Sequence, residues 1–283
     1  MNRARFAVIA LVLLTVLAGE TQGGISYAVG ADRGTDPYVD GVYVVDVVAS
    51  VASLLFATPE TIWYGSTDGY SWEGFYANTR EDLYWIDVVG HQAVPIGAFM
   101  SPGGEAVSVR EIALNEVTGI LYGTDYKYLY TIAPSTAVCS AVGPHGPGTA
   151  NLNMWSMDYD PSIEQLVGVG HRLITPGTGD TPAVFAADTY YINQTTGAAA
   201  LVAAAGQDRI SDVWYDHEAG QMLGIGNWPG RLYVLDTTTG VATEIGTLPD
   251  MNLMGSAGTV PEPATLAFLG LGMIGLVAGR RRR

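Results

Sequence analysis

Cysteine is nearly absent from this chain: Cys139 is the single copy in 283 residues. A lone thiol forms no internal disulfide, so cross-links do not hold the fold. It sits in the alternating segment Ala137-Val-Cys-Ser-Ala-Val142. There it reads as a packed strand residue in preference to a catalytic thiol. Positive charge is also scarce. Of 13 Lys+Arg, Arg3 and Arg5 lie at the start and Arg280 to Arg283 at the end, which leaves seven for residues 24–259. Of 28 Asp+Glu, only Glu20 and Glu262 fall outside that body, which leaves 26 and a net charge near −19. Such a surface opposes nucleic acid and anionic lipid, suits an exported soluble domain and attracts cations.

Site signatures are missing too. His91, His145, His171 and His217 form no His-x-x-x-His or His-x-His pair, so no zinc spacing exists. His91 and His217 fall in expected hairpin turns. The acidic stretches Asp158-Tyr-Asp160 and Asp212 to Asp216 lack the spacing and glycine of a calcium loop. Asp160 and Asp216 end expected strands and read as turn starters through their side chains. Ser66, Ser101 and Ser256 lack a G-x-S-x-G context, and Gly143 to Gly148 lacks G-K-[ST]. No cofactor and no metal are expected. With 26 acids, some pair will meet the separation a glycosidase needs, but the sequence singles out none.

Helical periodicity is poor in the body, and β-branched residues and glycines are frequent. What is present is a repeat. Residues 210–246 read as strand, turn, strand, loop, strand, turn, strand, with turns at His217–Gly220 and Thr237–Gly240. The third strand of this unit recurs as Val42-Tyr-Val-Val-Asp46, Leu83-Tyr-Trp-Ile-Asp87, Leu129-Tyr-Thr-Ile-Ala133, Thr189-Tyr-Tyr-Ile-Asn193 and Leu232-Tyr-Val-Leu-Asp236. The copies are 41, 46, 60 and 43 residues apart, and the long gap holds a Gly/Thr/Pro-rich insertion around Thr175 to Pro182. First strands recur at Ile112–Asn115, Met157–Asp160 and Val213–Asp216.

A four-stranded unit of about 40–45 residues is the period of a β-propeller blade. Residues 251–257 look like a first strand with no successor, while Ser26–Gly30 and Val42–Asp46 look like later strands with no first strand. Pairing them closes a ring. The expected fold class is all-β, a propeller of about five four-stranded blades closed by its N- and C-terminal strands. A β-sandwich is the competing architecture. The body resembles exported propellers of the YVTN or WD40-like kind, without their signature peptides.

Two segments flank the body. Residues 1–23 carry Arg3 and Arg5, then the apolar run Phe6–Leu17, then small residues: a signal peptide with an apolar helix, removed by signal peptidase. Cleavage is expected after Ala18, with cleavage after Gly24 as the alternative. Residues 260–283 carry Pro261-Glu262-Pro263, an apolar run from Ala264 to Ala278, and Arg280, Arg281, Arg282 and Arg283. Proline makes the tripeptide extended. The run spans roughly 22 Å as a helix, short of the ~30 Å hydrocarbon core, and snorkelling arginines extend it as a transmembrane helix. The arginines favour the cytoplasmic side.

That order resembles the PEP-CTERM sorting signal of bacterial surface proteins. The resemblance implies export, an inner-membrane intermediate, processing by the transpeptidase exosortase, and delivery to the cell surface or extracellular matrix. It further implies an association with exopolysaccharide. An ordinary tail anchor is the alternative. A non-enzymatic binding module is expected for the body, with a propeller glycoside hydrolase or lyase as the alternative. Candidate ligand contacts are Trp63, Tyr64, Trp72 and Tyr76, in a stretch dense in aromatics; blade-to-blade packing is the competing role for these rings.

Overall fold

The computed structural model describes residues 25–32, 39–58, 65–71, 73–146, 152–175, 184–207, 210–226, 230–249 and 251–257. The two flanking helices of the sequence reading and nearly all of the 175–182 insertion lie outside these residues.

Five four-stranded antiparallel sheets make up the body. Blade 1 holds β1 (Ile25–Asp32), β2 (Val39–Asp46) and β3 (Val51–Ala57), with β20 (Met251–Ala257) as its inner strand. Blade 2 is β4 (Gly65–Ser71), β5 (Gly74–Asn78), β6 (Asp82–Asp87) and β7 (Gln92–Ala98). Blade 3 is β8 (Glu111–Asn115), β9 (Ile120–Thr124), β10 (Tyr128–Ile132) and β11 (Cys139–Pro144). Blade 4 is β12 (Leu152–Asp160), β13 (Gln165–Thr175), β14 (Val184–Ile192) and β15 (Ala199–Gln207). Blade 5 is β16 (Ile210–Asp216), β17 (Gln221–Gly226), β18 (Arg231–Leu235) and β19 (Ala242–Thr247). The inner strands β4, β8, β12, β16 and β20 each touch the next, and β20 touches β4, so the ring is closed. This is the five-bladed propeller that the repeat predicts.

The period of two in each strand explains the packing. Alternate side chains leave opposite faces of a blade. In the repeated third strand, the first position faces the next blade. Val42, Leu83, Leu129 and Leu232 join apolar clusters there, and Thr189 bonds the Gly240 carbonyl of blade 5. The second position, always tyrosine, faces the preceding blade: Tyr43, Tyr84, Tyr130, Tyr190 and Tyr233 each pack into that interface. The outcome is five clusters, one for each pair of neighbouring blades, with no single central core. Burial follows the radius. Every residue of β8 and β16 is buried, whereas β3 and β7 are mostly exposed or half-buried.

Closure rests on β20, which pairs with β1 from Met251↔Asp32 to Ala257↔Tyr27. Trp214 on β16 locks the same seam. It is 1% exposed, and its Nε1 donates to Ser26 Oγ of blade 1 at 3.0 Å. Cys139 is buried as a strand residue, and desolvation pushes its thiol up to about 12, which favours the neutral thiol over the thiolate.

Two changes test the closure. Ending the chain before Met251 removes the inner strand of blade 1, and cooperative thermal unfolding is expected to vanish. Trp214→Ala leaves β20 in place but opens a cavity at the seam, and is expected to cost ~3–5 kcal/mol. Circular dichroism melts of both variants against the wild type check this.

Candidate functional site

An antiparallel meander puts its turns at two ends. The first-to-second and third-to-fourth strand turns share the lower end. The second-to-third loops and the links between blades share the upper end.

The lower end is acidic and built of side-chain-capped turns. Asp46, Asp87, Asn115, Asp160, Asn193, Asp216 and Asp236 each accept from backbone amides two or three residues on. The Gly90 amide, first among several donors, holds Asp87 below its ordinary pKa. Asp160 and Asp216 are thus turn starters, as the sequence reading expects. Glu73, Glu116, Glu164 and Glu218 sit in these turns, and no Lys or Arg does among the described residues. His217 lies 2.6 Å from Glu116 Oε1, joining the turns of blades 5 and 3 across the lower mouth. His91 is in a turn, stacked on Phe56 at 5.7 Å.

The upper end holds the cations. Arg80 follows β5, Arg110 precedes β8, Lys127 lies between β9 and β10, Arg172 is opposite Leu152 near the end of β13, and Arg231 opens β18. All five described Lys and Arg are therefore at one end.

Around the upper mouth the inner strands share a device. Met154 pairs with Gly170 and Ser156 with Val169, so Trp155 is an extra, bulged residue. Ser211 is bulged in the same way between Ile210 and Asp212. In blade 3 the Arg110 amide donates to Thr124 O (2.7 Å), the residue that Glu111 already faces. A bulge re-aims its side chain out of the strand's alternation. Arg110 and Trp155, at equivalent positions, consequently meet. The Arg110 Cζ lies 4.3 Å from the Tyr126 ring centroid and 5.5 Å from that of Trp155. Trp155 is 5.7 Å from Tyr126 and stacks on His171 at 4.8 Å.

Tyr126 is held in an unusual backbone state, φ 86°. Bulky residues at positive φ are strained and persist where their surroundings impose them. Here its amide donates to Thr124 Oγ1 (3.2 Å) and its carbonyl accepts from the Met154 amide (3.1 Å) of blade 4. Asp125 caps the same loop by accepting from the Lys127 and Tyr128 amides. Thr124 is braced by His145, whose other ring nitrogen meets Gly197 O, both at 2.9 Å. Burial pushes His145 down, so it stays neutral.

Beneath this group the inner strands of blades 3, 4 and 5 carry buried polar side chains. Glu111, Ser156 and Asp212 occupy equivalent inner-strand positions and are 0% exposed. Ser156 Oγ donates to Asp212 Oδ1 (2.9 Å) and accepts from the Val213 amide. Asp158 accepts from the Tyr215 amide. Glu111 Oε1 accepts from the Ile112 amide, while Oε2 meets no donor side chain among the described residues. Burial first, then the Asp212 carboxylate, push Glu111 well above its ordinary range. Burial and the neighbouring carboxylate thus favour the protonated form of Glu111.

Of the aromatic residues that the sequence reading proposes as ligand contacts, Trp63, Tyr64 and Trp72 lie outside the described residues. Tyr76 is half-buried in the interface of blades 2 and 3, edge-on to Trp85 at 5.1 Å. A separate open groove of about 490 Å³ lies between blade 2 and the link that follows it, lined by Arg80, Phe99, Met100 and Val107 among others. Among the described residues no group of His, Cys, Asp and Glu has metal-holding geometry.

Residues 259–283 match the PEP-CTERM protein-sorting motif. The molecule is thus a five-bladed β-propeller that carries this motif, and the motif implies export and processing by exosortase. Its body is similar in fold to a chain of a nidogen/laminin complex, at 10% identity and TM-score 0.54, over 85% of this chain and 100% of that one. TolB from Acinetobacter baumannii is 10% identical over 90% of this chain and 73% of its own, at TM-score 0.45. A putative TolB from Agrobacterium tumefaciens is 11% identical over 79% and 70%, at TM-score 0.44. No curated protein matches the chain.

The protonated Glu111 gives stability a definite slope. Below its ordinary value of 4.5 both folded and unfolded chains hold the proton. Above it the unfolded chain releases the proton while folded Glu111, facing Asp212 and Asp158, retains it, so stability falls as pH rises towards the folded value. Glu111→Gln is expected to flatten this fall and to melt higher than wild type at neutral pH, by about 2–4 °C per kcal/mol recovered. Melts from pH 4 to 8 decide it, and parallel curves would count against a proton held by folded Glu111.

Proposed function

We propose that the protein is an exported, exosortase-processed component of the cell surface or extracellular matrix, and that its propeller binds exopolysaccharide without turning it over. The observation that carries this reading is the opposition of the two ends. Strand β20 runs from the upper end to the lower, and β1 starts at the lower end, so both flanking segments leave the acidic lower end. Few residues separate Ala257 from Pro261, a reach of roughly 13 Å. Before processing, a chain held by its C-terminal helix therefore keeps the lower end towards the bilayer and turns the Tyr126–Trp155–Arg110 group outward. Partly exposed aromatic rings suit the C–H faces of sugars.

A secreted glycoside hydrolase or lyase is the second reading, and the Glu111–Asp212 carboxyls favour it. Their complete burial favours the binding role, because a substrate would first have to displace the stack above them. Incubating the protein with a polysaccharide panel and assaying new reducing ends or unsaturated products separates the two. Turnover abolished by Glu111→Gln would replace the binding reading.

The address has its own test. Changing Pro261-Glu262-Pro263 to alanines is expected to leave the protein uncleaved in the membrane fraction. Unaltered processing would make the tail a plain anchor.

A further inference from the structure

Resting on that binding role, we infer that the ligand is an anionic polysaccharide with carboxylates on its sugar rings, gripped at the upper mouth between blades 3 and 4. Two of the five described cations gather at one place. Arg110 lies over Tyr126, and Lys127 follows Tyr126 and donates from Nζ to Leu152 O at 2.6 Å. The body has seven Lys and Arg against 26 acids, so this pair stands out, and Asp125 of the same loop is engaged by the Lys127 and Tyr128 amides and the Tyr130 hydroxyl. A neutral glycan would need the rings alone.

The geometry suits such a ligand. Trp155 and Tyr126 are both half-buried, each keeping part of its surface towards solvent. A guanidinium carries its N–H groups in one plane, the arrangement that pairs with a carboxylate in two parallel bonds. Arg110 can thus engage a uronate carboxylate beside a sugar stacked on Trp155. The strained Tyr126 and the two bulged residues pre-form this constellation, so little ordering remains to oppose binding. An acidic peptide could satisfy the cations but offers no flat ring face to the aromatics. The lower end, with acids and no Lys or Arg among its described turns, repels a polyanion and makes the binding one-sided.

The experiment is calorimetric titration of the full chain in mild detergent with polygalacturonate, neutral dextran and polyglutamate. The expected result is binding to polygalacturonate alone, weakening as salt rises. Arg110→Gln and Trp155→Ala are each expected to weaken it by about tenfold or more, and Trp155→Phe to retain it. The phenylalanine variant keeps the site testable should the alanine variant fail to fold. Equal binding to dextran without salt dependence would overturn the anionic class and leave the polysaccharide reading standing. Binding to polyglutamate in place of polygalacturonate would overturn the glycan assignment. Polygalacturonate binding untouched by both variants would overturn the site. Binding to none of these, nor to a wider glycan panel, would overturn the binding reading itself.

Discussion

The pairing of Met251–Ala257 with Ile25–Asp32 is the contact on which the remaining structure depends. A blade exposes two apolar faces, and each is covered only by a neighbour. In an open row of five, the two outer faces would meet water. The C-terminal strand turns the row into a ring by supplying the inner strand of the first blade, and Trp214 seals the joint through Ser26. Five separate apolar clusters then replace one core. Each depends on its neighbours being held at the right angle, so closing the last seam supports all the others.

The same connectivity sorts the chemistry. Because the strands alternate in direction, short turns collect at one end and longer loops at the other. Turns opened by Asp or Asn make the lower end acidic as a by-product of how the chain reverses. Cations and the one strained tyrosine collect at the upper end, where loops have room. The inner-strand bulges matter most here. A regular strand would send Arg110 and Trp155 into blade interfaces, where a guanidinium is costly to bury. One extra residue at each position frees these two side chains to meet Tyr126 over the channel. Beneath them lie the buried side chains of Glu111, Ser156 and Asp212.

Much of the architecture is legible without coordinates. The repeated Tyr in the third strand marks each blade because it packs on the preceding one, and alternation along the strand does the rest. The orphan strands at either end point to the closure. Blade 2 is less legible at its start: Gly65-Ser-Thr-Asp-Gly-Tyr-Ser71 has no apolar alternation, and only its pairing with β5 identifies it. The upper-mouth stack is not legible at all. Arg110, Tyr126, Trp155 and His171 come from different strands and loops, and no local pattern announces a bulge. The dense aromatic stretch around Trp63 to Tyr76 draws attention, because local density is what a sequence displays; of its four named rings only Tyr76 is among the described residues, half-buried against the interface of blades 2 and 3.

By itself, then, the sequence determined the address, the fold class, the blade repeat and the manner of closure. Each of these is written in local order or fixed spacing: three features in sequence at the tail, a period of about 40–45 residues in the body, alternation within a strand. Only the tertiary structure decided which residues face one another across the axis. Glu111 feels the Asp212 carboxylate, and Arg110 lies over Tyr126 beside Trp155, because radial stacking brings equivalent positions of different blades to one level. A period places such residues in register. It takes the closed ring, and the bulges that turn side chains out of it, to bring them into contact.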